Sequence, residues 1–135
     1  MKVVIDTNVI VSGLLSPHGA PAEVVRMLLA GSIELCADAR ILSEYEEVLS
    51  RPKFGFDAEQ VGLVMDYISH AANMVAAGPL PERLPDPDDE PFAEVACAAS
   101  PSCLITGNIR HYPAKMLRNV KVLSPEDFIE YYRKK

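Results

Sequence analysis

Four oxygen-bearing side chains fall where an α/β chain places its active site: Asp6, Glu44, Asp89 and Asn108. Asp6 closes the apolar run Lys2-Val3-Val4-Ile5, and Asn108 closes Leu104-Ile105-Thr106-Gly107. Asp89 ends the cluster Asp86-Pro87-Asp88-Asp89, directly before a stretch of helical character. In open α/β sheets the ligand site lies outside the carboxyl ends of the strands. Carboxylates gathered there without a cation repel: two charges about 4 Å apart cost roughly 4 kcal/mol at an effective dielectric near 20. A hard divalent cation removes that penalty, so the pattern points to a Mg²⁺ or Mn²⁺ site.

Taken singly, each residue also has a plainer reading. An Asp at a strand end often caps the next turn, and Asp89 stands where an N-cap Asp is favoured. Glu44 lies three residues after Ile41 and four before Val48, both expected to face the core, and helical neighbours at those spacings share a face. A Glu at the edge of such a face ordinarily extends to solvent. Asn108 after Gly107 fits a turn, because Asn tolerates left-handed geometry, or a neutral oxygen ligand. Asp86 and Asp88 read as solvated loop acids able to assist a metal through water, and Glu46 and Glu47 as surface charge. Thr7 and Thr106 are placed to position a water or a phosphate oxygen. Asn8 reads as structural, its amide tying the first loop to its neighbours. His111 reads as an exposed histidine, with a base or an RNA contact as the alternative.

The elements that must position these groups alternate in type. Val3–Ile5 is a short buried strand, followed by Asp6-Thr7-Asn8 and an apolar Val9-Ile10-Val11. A loop at 16–19 leads to a helix opened by Pro21, with an apolar stripe of Val24, Val25, Leu28 and Leu29 and a stop at Gly31. Ile33–Cys36 is a second strand. Asp38 caps a helix carrying Ile41, Leu42, Tyr45, Val48 and Leu49, and Pro52 lies just past its end. Asp57 caps another, expected to run to about Ala76 with Val61, Val64, Met65, Ile68 and Ala72 inward. Gly78–Pro87 is proline-rich and extended, with room for one short strand. A helix over Glu90–Ala99 follows, then strands over Cys103–Thr106 and Val120–Leu123. Ser124-Pro125-Glu126-Asp127 starts the last helix. Strands alternating with helices imply a parallel sheet covered on both faces.

The 135 residues fit one domain, 1–135, with a core of its own. Cys36, Cys97 and Cys103 are odd in number and each sits in apolar sequence, so they read as buried thiols of a reducing compartment. No Cys/His spacing suggests zinc. Met1-Lys2 leads straight into a strand, and no apolar run is long enough to span a bilayer, so no signal peptide and no membrane are expected and the cytoplasm is the default. The net charge of −6 argues against unassisted binding to bulk nucleic acid. It leaves room for a nucleic-acid enzyme, because bound cations would offset metal-ligand carboxylates locally.

Order and context together carry more than any single residue. Asp6-Thr7-Asn8-Val9, then Leu42-Ser43-Glu44-Tyr45-Glu46-Glu47-Val48-Leu49-Ser50-Arg51-Pro52, then Asp86-Pro87-Asp88-Asp89, then Ile105-Thr106-Gly107-Asn108 resemble the PIN-domain nucleases. The resemblance runs through nearly the whole chain and is nearest to the branch of toxins from toxin–antitoxin pairs. It implies a three-layer Rossmann-like fold, with a mainly parallel central sheet between helices and an acidic pocket at the strand ends. It implies hydrolysis of RNA phosphodiesters with Mg²⁺ or Mn²⁺, leaving a 5′-phosphate and a 3′-hydroxyl. Asp6, Glu44 and Asp89 match the family's three core acidic positions, and Asn108 stands where many members have a fourth Asp. That departure removes a negative charge and puts a second metal in doubt. The resemblance also implies a small antitoxin partner and a homodimer.

Three other classes compete. A receiver-like phospho-acceptor module also gathers Asp around Mg²⁺, but needs an acidic pair after the first strand and a late-strand Lys, and Thr7-Asn8 and the late strands supply neither. A haloacid-dehalogenase-like phosphatase needs a second Asp two residues after the first. A catalytically silent PIN-like binding module stays compatible with Asn108 and the acidic charge.

Overall fold

Val3, Val4 and Ile5 are all fully buried, without the alternation of a half-exposed strand. A strand can bury both faces only between two layers of helix, and the computed structural model, which describes residues 1–101, 103–117 and 119–134, has that arrangement. Its elements run β1 (Lys2–Ile5), α1 (Thr7–Leu15), α2 (Ala20–Leu29), β2 (Glu34–Ala37), α3 (Ala39–Leu49), α4 (Ala58–Ala71), β3 (Asn73–Met74), α5 (Glu90–Ala99), β4 (Cys103–Ile105), β5 (Lys121–Leu123) and α6 (Pro125–Arg133). Short 3-10 turns cover Pro52–Phe54, Pro87–Asp89 and Ile109–His111. The five strands lie in the order β3-β2-β1-β4-β5 and every pairing is parallel. The fold is thus the three-layer α/β architecture that the sequence leads one to expect.

The caps fall where composition places them. Asp38 accepts from the Ile41 amide, Asp57 from Glu59 and Ser124 from Asp127. Gly31 takes φ +80 past the end of α2, and the Gly31 and Ser32 amides close onto the Leu28 and Met27 carbonyls. That left-handed step is cheap for glycine alone.

Three expectations need correction, and one stretch that the sequence leaves unassigned takes a definite form: Thr7–Leu15 is a helix, α1, despite the β-branched character of its Val9-Ile10-Val11 run. It begins at once after β1 and buries Thr7, Val9, Ile10 and Val11. The helix expected to reach Ala76 stops at Ala71, because the open edge of β2 takes the next residues as β3, with Cys36 opposite Asn73 and Ala37 opposite Met74. The extended stretch 78–87 contributes no strand. Cys97 is exposed on α5, its thiol reaching the Met116 carbonyl at 3.6 Å, whereas Cys36 and Cys103 are buried. Met65 belongs to the core, and Met74 is exposed. Among the described residues no helix is long and apolar enough to cross a membrane.

The sheet order creates the site. From β1 the chain moves through β2 to β3 on one side, and β4 and β5 fill the other. The carboxyl ends of β1 and β4 therefore flank the crevice where connections diverge. Backbone bonds carry the ladder one residue past each strand: the Asp6 amide donates to the Ile105 carbonyl at 2.9 Å, and the Thr106 amide to the Leu123 carbonyl at 2.9 Å. Asp6 and Thr106 are held side by side before any side chain contributes.

Candidate active site

Asp6 is the centre. It is 5% exposed, and its Oδ2 accepts from Thr106 Oγ1 at 2.8 Å, from the Tyr112 hydroxyl at 3.1 Å and from Asn8 Nδ2 at 3.5 Å. Burial raises its pKa, and the Thr106 and Tyr112 hydrogen bonds oppose that rise. Three donors on one oxygen fix the carboxylate plane, and Asp6 lines the crevice.

Glu44 arrives from α3. Its neighbours Ile41 and Tyr45 are fully buried, and the Tyr45 hydroxyl donates to the Ile5 carbonyl, which pins this turn of α3 to the end of β1. Glu44 therefore reaches the crevice instead of bulk solvent. Its Oε2 accepts a hydrogen bond from Thr7 Oγ1. Burial raises its pKa, and repulsion from Asp6 and Asp88 raises it further.

Asp89 heads α5, yet its side chain caps nothing. The 3-10 turn before it is capped by Asp86, whose Oδ1 accepts from the Asp88 amide at 3.0 Å. Asp89 Oδ2 instead lies 2.8 Å from His111 Nδ1. Burial first, and then repulsion from Asp6, push the Asp89 carboxyl up to about 6. Three acids from three elements thus bind protons more readily than free carboxyls do: burial raises all three, and the charge of Asp6 raises Glu44 and Asp89 further.

The remaining sequence-predicted residues divide clearly. Asn8 has the structural role expected of it, Oδ1 accepting from the Gly107 amide at 3.2 Å and so tying the first loop to the end of β4. Asp6, Thr7, Asn8, Glu44 and Asp88 line one open cavity of about 480 Å³. His111 departs from the plain exposed histidine expected: it is half-buried and paired with Asp89. Asn108 is exposed; it is joined to the site by its backbone, the amide donating to Thr106 Oγ1 at 3.0 Å. Tyr112 was missed altogether. It lies in an irregular loop before Pro113, where neither a strand nor a helix period marks it. Its hydroxyl is buried against Asp6, and burial together with Asp6 and Asp89 holds its pKa far above the usual phenol range.

The donor set fits a hard divalent ion. Asp86, Asp89 and His111 each offer a ligand atom, all within 4.8 Å of one another, and Asp6 acts electrostatically on Asp89. Carboxylate oxygens with one imidazole suit Mn²⁺, and carboxylates alone suit Mg²⁺. A cation would also relieve the repulsion that raises the acids' pKa values.

Comparison with known proteins agrees with this fold. An uncharacterized protein of Methanocaldococcus jannaschii, MJ1680, is 27% identical over 145 residues, covering 99% of this chain and 93% of its own. A chain of VapBC-1 from nontypeable Haemophilus influenzae superposes with a TM-score of 0.60 at 18% identity, over 93% of this chain and 99% of that one. A chain of VapBC2 from Rickettsia felis, solved bound to a promoter DNA fragment, gives 0.55 at 16% identity, over 92% and 98%. FitAcB from Neisseria gonorrhoeae gives 0.53 at 15% identity, over 92% and 98%. These likenesses establish the shared fold. The family model described as the PIN domain matches residues 2–110, most of the chain, and the protein therefore belongs to the PIN domain family.

Proposed function

We propose that this protein is a metal-dependent endoribonuclease that hydrolyses RNA phosphodiester bonds, with Asp6, Glu44 and Asp89 as its catalytic carboxylates. The observation that carries the reading is their convergence at the carboxyl ends of β1 and β4: burial raises the pKa of all three, and the charge of Asp6 raises Glu44 and Asp89 further. Such a cluster is unfavourable in a folded protein without a compensating cation. Asp6, Asp89 and Glu44 would hold Mg²⁺ or Mn²⁺, with Asp86 and His111 beside Asp89 and Asn108 as a further oxygen donor once its exposed side chain turns inward. A bound divalent ion would supply Lewis-acid polarisation of the phosphate and a lowered pKa for the attacking water.

The chain's own residues do the positioning. Thr106, Tyr112 and Asn8 orient Asp6, and Thr7 orients Glu44. His111 fixes one oxygen of Asp89. Hydrolysis with departure of the 3′-oxygen would leave a 5′-phosphate and a 3′-hydroxyl. We read the protein further as the toxin of a toxin–antitoxin pair, acting as a homodimer and restrained by a small antitoxin. Support for the pairing comes from the VapBC and FitAB complexes among the proteins that share its fold. The receiver-like alternative falls with the family assignment.

The test is cleavage of structured and single-stranded RNAs with Mn²⁺, Mg²⁺ or EDTA, with Asp6→Asn run alongside. Metal-dependent cleavage lost in Asp6→Asn is expected. Equal cleavage by both proteins would expose a contaminant, and silence under every metal would favour a PIN-like binding module.

A further inference from the structure

The cavity that holds the acids extends beyond them to a wall of different chemistry, made by Leu15, Val48, Arg51 and Phe54. None of these ligates a hard metal. Their placement follows from the sequence after α3. Pro52 starts a single 3-10 turn, and Gly55 reverses the chain at φ +66. A side chain at Gly55 would meet no neighbour, so this glycine serves its left-handed backbone and not a lack of room. Phe54, half-buried just before the reversal, lines the cavity. Phe56 packs beside it, centroids 5.9 Å apart at an interplanar angle of 26°, and steadies the ring. The exposed Lys53 holds its ammonium over the Phe54 ring, 5.1 Å from the centroid, and this flexible side chain swings aside to a phosphate when a base takes that face. Arg51 is paired with Glu47 at 2.8 Å, both well exposed. Exposed pairs of this kind contribute about 0–1 kcal/mol, so the guanidinium can exchange Glu47 for a phosphate at little cost.

We propose that this wall is a base-stacking subsite for single-stranded RNA. An unpaired base flanking the scissile phosphate lies against Phe54 and the apolar surface of Leu15, with Arg51 and Lys53 on the neighbouring phosphates. The inference rests on the nuclease reading and adds a substrate preference to it. A chain of net charge −6 with an acidic cavity repels a polyanion, so local cations beside that cavity are where a nucleic acid can be held. An aromatic face flanked by cations is the usual platform for unpaired bases. In a duplex each base is already stacked and paired, and the platform has nothing to take.

The experiment uses the full chain carrying Asp6→Asn, so that bound RNA is not consumed. Fluorescence anisotropy compares a short unstructured RNA with the same strand annealed to its complement. The single strand should bind more tightly. On this background Phe54→Leu, which keeps the apolar packing, should weaken single-strand binding about five- to a hundredfold, the loss of one stacked base. Phe54→Tyr should restore it, and Arg51→Gln should lower the salt slope by about one contact. Unfolding midpoints of the variants guard against a folding defect. Equal affinity for both RNAs, unchanged binding in Phe54→Leu, or no binding at all would overturn the subsite. A wall that serves a protein segment would give the second of these outcomes. Metal-dependent cleavage by the parent chain is scored separately: intact cleavage with unchanged Phe54→Leu binding sinks the subsite alone, and absent cleavage sinks the nuclease reading.

Discussion

Tyr112 places its hydroxyl 3.1 Å from Oδ2 of Asp6, across 106 residues of sequence. The same oxygen accepts from Thr106, so two buried donors from the two sides of one loop fix the carboxylate at the end of β1. Tyr112 acts on the site through carboxylates, Asp6 first and Asp89 beside it. Phe at this position keeps the ring packing and removes one donor. Tyr112→Phe should cost about 1–2 kcal/mol of stability. It should weaken Mn²⁺ binding several-fold through a less fixed Asp6, the usual consequence of losing a group that orients a ligand. Calorimetric titration with Mn²⁺ and thermal unfolding read the two effects separately. A stability loss with unchanged metal affinity would reduce Tyr112 to a packing residue.

The raised carboxyls make stability depend on pH in a defined direction. A group whose folded pKa lies above its unfolded value contributes stability that is full below the unfolded value and is lost as pH rises through the folded one. For Asp89 that window runs from 3.8 to about 6. About two units correspond to at most about 3 kcal/mol. In EDTA the parent protein should therefore lose stability relative to Asp89→Asn as pH rises from about 4 to about 7, because the amide does not titrate. Adding Mg²⁺ or Mn²⁺ at pH 7 should return the loss to the parent and much less of it to the variant, by binding the folded state alone. Parallel melting curves across that range would show that Asp89 is unperturbed.

The site was legible where it is tied to regular structure. Asp6 follows a run of apolar residues that must be a strand, and Glu44 sits at helical spacing from residues that must be core. Asp89 could not be separated from an ordinary cap on sequence alone, because the deciding fact is that its side chain turns from the α5 amides to His111. Helix α1 was hidden by Val9-Ile10-Val11, whose β-branching imitates a strand in so short a segment. Strand β3 is two residues long and exists because the edge of β2 needs a partner, a tertiary demand with no local pattern. Tyr112 and the His111–Asp89 pair depend on how an irregular loop folds back over β1, which no periodicity encodes.

Close packing of α1 on α2 gives a test of the fold apart from the chemistry. A methyl group built on Gly13 would stand 2.4 Å from Val25 Cγ2 and 2.6 Å from the Pro21 carbonyl oxygen. The second neighbour is backbone and cannot rotate away. In an open helix Gly→Ala gains roughly 0.5–1 kcal/mol, so the sign of the measured change decides the matter. Gly13→Ala should destabilise by about 1–3 kcal/mol, the range for overpacked cores, in urea unfolding. A gain in stability would mean that the helices lie further apart.

Asn108 carries the clearest functional contrast. Its side chain is exposed, and its backbone amide already makes the bond to Thr106 that shapes the rim. Asn108→Ala keeps that bond, so it should leave Mn²⁺ affinity within about twofold and the melting point within a degree or so. Asn108→Asp adds a negative charge beside three carboxylates that already resist ionisation. Without metal this should lower stability by roughly 0.5–1 kcal/mol through repulsion. With metal the added charge should tighten Mn²⁺ binding about five- to tenfold, since hard cations follow ligand charge, and should raise cleavage most at limiting metal. Metal titration of the three proteins in parallel separates the cases. A large loss of affinity in Asn108→Ala would make the amide oxygen a ligand in its own right. No gain in Asn108→Asp would place this rim too far from the ion to matter.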